Sequence, residues 1–209
     1  MTDLDQQPAT RTTLLALRSE LDQARQGHSI LERKREALLR ELWDLLREVK
    51  HTELDVRERF AQAYKVQREA RITMGRDAMR FAALAPAART DYSVESRTVM
   101  GVALPLVSLQ VEPLPFPYSP GGIHPVFDEL RARWIEAGKI LGPWSETIGS
   151  IWKVAAEVER TQRLVNALES VLIPRYLAAI RRIQTILEEQ ERESFSRAKR
   201  VKQRGQWRS

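Results

Sequence analysis

Residues 14–56 read LLALRSELDQARQGHSILERKREALLRELWDLLREVKHTELDV, and their apolar residues recur at alternating steps of three and four. Ten of the thirteen positions on this repeat are apolar. A repeat of this kind indicates a left-handed coiled coil, since it places one apolar seam along the helix. Such a helix cannot bury its seam alone and needs a partner helix. We take as representative seam residues Leu17, Leu21, Leu31, Leu38 and Leu42.

A second seam runs from residue 154 to residue 186 and can supply that partner. The step from Leu172 to Tyr176 is four where three is due, and Pro174 lies inside it. An extra residue in the repeat relaxes supercoiling, and proline removes a backbone donor, so we expect a bend near 170–174. The representative residues of this seam are Val158, Val165, Leu168, Leu172 and Ile183.

The helical period stops in the middle of the chain, where seven prolines fall between residues 85 and 125. Short apolar runs at 99–104 and 106–111, flanked by helix breakers, predict two strands of a small hairpin. We expect a loop from Pro113 to Gly122, and then a helix over 125–137. For the tryptophans beyond that helix, Trp144 and Trp152, core packing is favoured over a docking role.

Two long helices on either side of a compact insertion predict a mainly α fold. The N- and C-terminal segments should pair as a long antiparallel two-helix coiled coil, and the insertion should hold a short β-hairpin and short helices. The corresponding segments are 10–72, 73–150 and 151–204.

The net charge of +6 is localised at the C-terminal end. From Arg192 to Ser209 there are seven basic residues and one acid, so this tail alone accounts for the excess. The polar, acidic N-terminus does not resemble a signal peptide, and no apolar run approaches the ~20 residues of a membrane span. These features predict a cytoplasmic protein without direct membrane insertion, which can still be attached to a membrane through a complex.

Residues for catalysis or cofactor binding are missing from the sequence. The chain has no cysteine, its three histidines lack metal-ligand spacing, and no glycine begins a phosphate-binding loop. Neither a nucleophile–base arrangement nor a paired acid–base site is evident. We therefore expect no catalytic residue, cofactor or metal.

Four stretches, in order along the chain, resemble the D subunit of V/A-type rotary ATPases. These are GHSILERKREAL at 27–38, VMGVALP at 99–105, VNALE followed by Ile173-Pro174 at 165–174, and LEEQERESFSR at 187–197. Together they span most of the chain, which makes the resemblance more specific than heptads alone.

The resemblance implies a non-catalytic central stalk. In that family a coiled coil stands inside a hexamer of catalytic A and regulatory B subunits, carries the small F subunit of the stalk, and connects through a further stalk subunit to the membrane ring. It couples ATP hydrolysis or synthesis to ion translocation. We expect the basic residues of both helices to face the wall of the hexamer, namely Arg11, Arg18, Arg25, Arg197, Lys199, Arg200 and Lys202.

Two alternatives remain open from the residues themselves. The basic tail with Trp207 would also suit a nucleic-acid-binding coiled coil, although the body of the chain has no basic stripe, so we expect no nucleic acid. A coiled-coil scaffold is the other alternative. The tail lacks the strong apolar face of helices that lie on membranes.

Overall fold

The computed structural model describes residues 8–84, 88–114 and 124–206, except for the side chains of 201–206. The described residues are mainly helical with one hairpin, as predicted. Two compact units are present: the described residues up to Glu36 with those from Glu159 onward, and Ala37–Val158. The elements are α1 (Arg11–Met74), α2 (Arg76–Ala82), β1 (Ala88–Val99), β2 (Val102–Pro113), α3 (Val126–Lys139), α4 (Leu141–Ala167), a π-helical turn (Leu168–Leu172) and α5 (Ile173–Gln206).

Local chemistry determines both ends of α1. Thr10 caps the N-terminus, since its Oγ1 accepts a hydrogen bond from the backbone N–H of Thr13 at 3.1 Å. At the other end, Gly75 adopts φ 80°, a left-handed conformation that stops the helix and that glycine adopts without a Cβ clash. Between these residues the sequence contains no proline, so the helix continues for 64 residues.

In the first unit, α1 and α5 pack antiparallel. Arg11, at the start of α1, bonds to Glu191 in the second half of α5 at 2.6 Å. Farther along α1, Arg35 donates a hydrogen bond at 3.0 Å to Gln162 of α4, which continues through a π-helical turn into α5. Residue numbers rise on one helix as they fall on the other, so the predicted antiparallel pairing is confirmed. The core between the helices consists of Leu17, Leu21, Ala179, Ile180 and Ile183.

A π-helical turn interrupts the C-terminal helix where the heptad step changes. The N–H of Ile173 donates to the carbonyl of Leu168, five residues back, as a π-turn requires. Pro174 has no N–H to donate to the carbonyl of Ser170. The π-helical turn is one residue wider than an α-helical turn, and this extra residue accounts for the seam step of four, where three is due, from Leu172 to Tyr176. The irregularity thus lies at the predicted position, and the bend stays a prediction.

In the second unit, α1 packs against α3, α4 and the hairpin. One core cluster joins Leu38 and Leu45 of α1 to Leu104 of β2 and Val154 of α4. A second cluster joins Val66, Ala70 and Leu130, with Met79, Val126, Phe127 and Trp134 packed around them. The predicted helix over 125–137 is therefore confirmed as α3, and Phe127, Leu130 and Trp134 pack in the same cluster.

The hairpin lies in a different register from the predicted one. The strands are not 99–104 and 106–111; β1 is Ala88–Val99, and it pairs with β2 from Val99↔Val102 to Ala88↔Pro113. Met100 and Gly101 form the turn, with φ 50° and 81°, which is the conformation of tight two-residue hairpin turns. Pro105 lies inside β2 and does not separate two strands. A two-stranded ribbon tolerates it because each strand has one open edge.

Packing of α4 against β2 leaves no room for a side chain at Gly142. A Cβ there would lie 2.8 Å from the Cβ of Leu109. We expect Gly142→Ala to lower the free energy of unfolding by about 1–3 kcal/mol through overpacking, measured by urea denaturation. Gly138→Ala is the matched control. Its Cβ would meet nothing within 4 Å, so the higher helix propensity of alanine should make that variant neutral or more stable. Equal losses in both variants would contradict the steric explanation.

Candidate functional site

The three predicted contact residues of α1 lie on one face. Arg11, Arg18 and Arg25 are seven residues apart and all exposed. Side chains at this spacing repeat on the same side of a helix in a coiled coil. Arg11 is held by its ion pair with Glu191, whereas Arg18 and Arg25 have no ion pair within the described residues.

The predicted contact residues of α5 lie beyond the start of α1. Glu191 is level with Arg11, so Arg197 lies about 9 Å farther along the helix axis at 1.5 Å per residue. Arg197 pairs with Glu193 at 3.0 Å, and Lys199 and Arg200 are exposed. The side chain of Lys202 falls outside the described residues. The two basic sets therefore follow one another along the first unit and do not lie side by side.

The ten representative seam residues are all shielded from solvent to some degree. Five of them are buried, namely Leu17, Leu21, Leu38, Val165 and Ile183. The other five are partly buried, namely Leu31, Leu42, Val158, Leu168 and Leu172. Ile183 packs on Leu17 and Leu21 across the first unit, and Val158 packs on the Leu38 cluster of the second.

Polar residues occupy part of the seam in the first unit. Arg35 donates from Nη1 to Oε1 of Gln162, which in turn donates to Asn166 at 2.7 Å. His28 lies between two carboxylates, with Nδ1 3.4 Å from Glu32 and Nε2 3.9 Å from Glu169. A polar layer in an apolar seam reduces stability and fixes the register of the two helices. The sequence signal for this layer was the non-apolar seam positions 28 and 35, whose partners could not be read from spacing.

Tyr176 provides a titratable contact in the same unit. Burial raises the pKa of its phenol, and the charge and hydrogen bond of Glu20 raise that pKa further. Because the pKa of Tyr176 is raised in the folded state, its protonated phenol contributes to stability below pH 10. This contribution is lost as the pH rises above that value. We expect the melting temperature to fall above pH 10 and to fall less in Tyr176→Phe. Parallel curves for the two proteins would contradict this role of Tyr176.

The sequence prediction placed the tryptophans beyond α3 in the core, and for Trp152 this prediction is wrong. Its side chain is 74% exposed, because the seam of α4 contains Ile151 and Val154 on either side of it. Trp144 is partly buried.

Within the described residues, no cluster of three metal-ligating side chains occurs. Over the same part of the chain, none of the helices combines the length and apolarity that crossing a membrane requires.

Comparison with known sequences identifies the family. The family of ATP synthase D subunits matches residues 13–203. The chain belongs to this family. It is 36% identical over 196 residues to the A-type ATP synthase D subunit of Methanosphaera stadtmanae, with 92% of each chain covered. To the V-type ATP synthase D subunit of Thermotoga neapolitana it is 31% identical, covering 93% of this chain and 96% of the relative.

This membership makes the chain part of a multi-subunit rotary ATP synthase complex. The A-type ATP synthase D subunit of Methanobrevibacter smithii is 35% identical over 196 residues and covered over 85% of its length. The family match over residues 13–203 covers nearly all of the helices of the first unit and the whole of the second unit. The chain therefore presents candidate interaction surfaces along its helices, and no candidate catalytic centre is found among the described residues.

Proposed function

We propose that this D subunit is the non-catalytic central rotor of its complex. It couples ATP hydrolysis or synthesis in a catalytic hexamer to ion translocation through a membrane ring. The observation that carries the proposal is the antiparallel pairing of α1 and α5, with Arg11 bonded to Glu191, in a chain of this family. Paired helices resist bending and unwinding better than one helix, because side chains of each lock between side chains of the other.

The seam supports torque transmission in a second way. Sliding one helix along the other would break the part-buried hydrogen bond from Arg35 to Gln162, which forms in this register. A register that resists slipping is a requirement of an axle, since torque applied at one end must reach the other.

Directional coupling requires the rotor to present different surfaces at different angles. Each angle must favour different conformations of the surrounding subunits, which is a difference in binding free energy between states. The basic face of α1 and the extension of α5 beyond Arg11 give the first unit such an asymmetry. We place Arg11, Arg18, Arg25, Arg197, Lys199, Arg200 and Lys202 against the hexamer wall.

The proposed partners are the A and B subunits of the hexamer, the small F subunit of the stalk, and the further stalk subunit that leads to the membrane ring. The complex would hold the chain on the cytoplasmic side of a membrane without inserting it. Co-expression of the chain with A, B and F subunits tests this proposal. We expect one complex whose ATP hydrolysis turns a bead attached to this chain. A chain that stays outside an otherwise complete hexamer would overturn the rotor assignment.

A further inference from the structure

We propose that the first unit contains a hinge, at which the two paired helices yield locally while the packing on either side of it stays intact. The hinge consists of Gly27 and His28 on α1 and residues 168–174 on the C-terminal helix, and it is called the hinge layer below. In a rotor, this layer takes up twist that the packed segments resist. That part of the inference rests on the proposed function, because the torque belongs to it.

The hinge layer lies in a gap in the packing of the first unit. On α1, the described residues from 22 to 36 include no buried side chain, although Leu21 just before them is buried. On the C-terminal helix, none of the residues from 166 to 178 is buried, whereas Val165 and Ala179 on either side are. Segments with few buried apolar contacts open at a lower free energy than the core. The two stretches therefore form the weakest part of the helix pair.

The backbone of the C-terminal helix is irregular within this gap. The π-helical turn over Leu168–Leu172 contains no buried residue. Pro174, which follows it, is exposed and has no backbone N–H to donate. Sharp kinks in long helices occur mainly at prolines and at π-helical turns, because the regular hydrogen-bond ladder is interrupted there. This stretch is therefore easier to deform than the α-helix on either side.

Gly27 weakens α1 at the same level. Glycine in the interior of a helix loses more backbone freedom on folding than any other residue, so it destabilises the helix. A Cβ at Gly27 would meet nothing within 4 Å, so no close approach of another element requires a glycine here. Its neighbour His28 lies opposite the π-helical turn, with Nε2 3.9 Å from the carboxylate of Glu169. Both helices are thus weakened side by side.

The polar groups of the layer bond within their own helices. Nε2 of His28 makes no hydrogen bond among the described residues, and its Nδ1 lies 3.4 Å from Glu32 of the same helix. On the other helix, the hydroxyl of Ser170 donates to the carbonyl of Asn166 at 2.5 Å. Twisting the helices against each other at this level therefore breaks none of the hydrogen bonds that these groups make.

The segments on either side of the layer resist the same motion. On one side, Arg35 bonds across the pair to Gln162, and Val165 is buried. On the other side lies the apolar core of the first unit, which draws on both helices: Leu17, Leu21, Ala179, Ile180 and Ile183. Deformation is concentrated in the part that costs least to deform. The flanking segments therefore hold the register, and the layer between them twists.

Hydrogen exchange of the full-length wild-type chain measures whether the layer opens. We expect the backbone amides of 24–31 and 168–173 to exchange at least about tenfold faster than those of 14–21 and 179–186, relative to their intrinsic rates. Fraying from the helix ends would give the opposite order, since the flanking segments lie closer to the termini. Equal rates, or faster exchange in the flanking segments, would overturn the proposal.

Gly27→Ala distinguishes one shared layer from two unrelated irregularities. Alanine favours the helix, so the exchange of 24–31 should slow about fivefold. The exchange of 168–173 should slow with it, because the two stretches open together. Pro174→Ala restores a backbone donor on the opposite helix and should slow both stretches as well. Gly138→Ala in α3 is the control and should change neither. Slowing confined to the altered helix, or equal slowing throughout the first unit, would overturn the proposal.

Exchange in the assembled complex tests the response to torque. We expect the amides of the layer to exchange at least about threefold faster during ATP hydrolysis than with a non-hydrolysable ATP analogue, while the flanking segments keep their rates. A complex that rotates without this increase would overturn the response to torque, and the rotor assignment would stand. A chain that joins no complex would overturn the rotor assignment and the response to torque together. Fast exchange of the layer in the isolated chain would then still support the local opening.

Discussion

Replacing Leu38 by alanine should lower the free energy of unfolding by about 2–5 kcal/mol. Leu38 is 0% exposed and belongs to the same core cluster as Leu104 of the hairpin and Val154 of α4. Removing its side chain forfeits the burial of the deleted carbons and leaves a cavity between three elements. These elements cannot close around it, because each is held by further contacts of its own.

Urea denaturation followed by circular dichroism measures this loss, and Leu54→Ala is the control. Leu54 lies on the same helix but is 66% exposed, so its truncation should change the free energy by no more than about 0.5 kcal/mol. Hydrogen exchange should locate the Leu38→Ala effect in the second unit. Similar losses in the two variants would contradict the assignment of Leu38 to the core of the second unit.

The positions of the seam can be predicted from the sequence for a physical reason. The 3.5-residue repeat is a local property, and any helix that carries it must bury the same side. Leu17, Leu38 and Ile183 therefore stand out before any partner is known, and all three are fully buried. The change of step at Leu172–Tyr176 is local in the same sense, and it coincides with the π-helical turn.

The failures concern properties that depend on contacts distant in sequence. The strand β1 carries charged residues around Tyr92 and Val94, so its alternation is weak, and only pairing with β2 makes it a strand. The error at Trp152 is of another kind, since its place one residue beyond the seam is a local property of the repeat. The cross-helix partners of His28 and Arg35 follow from the register of α1 against α4 and the π-helical turn, which spacing within one helix does not determine.

Removing residues 192–209 should impair rotary coupling while leaving folding almost unchanged. The side chains from Arg192 to Arg200 are exposed on α5, beyond the level at which Glu191 meets Arg11. Their loss should change the free energy of unfolding by less than about 1 kcal/mol. If the basic tip contacts the hexamer wall, removal of its charge should lower ATP-driven rotation about fivefold or more, which is the lower end of typical coupling between sites.

A full-length variant separates charge from length. Arg197→Gln, Lys199→Gln and Arg200→Gln together keep the helix and remove three cations, and Arg68→Gln removes an exposed cation of α1 in the second unit as the control. Rotation of single complexes at low and high salt is the measurement, because exposed charges are screened by salt. The triple variant should lose most of what the truncation loses, and the control should lose nothing. A truncated chain that rotates at the wild-type rate would contradict the contact itself. An impaired truncation beside an unimpaired triple variant would assign the contact to the shape of α5 and not to its charge.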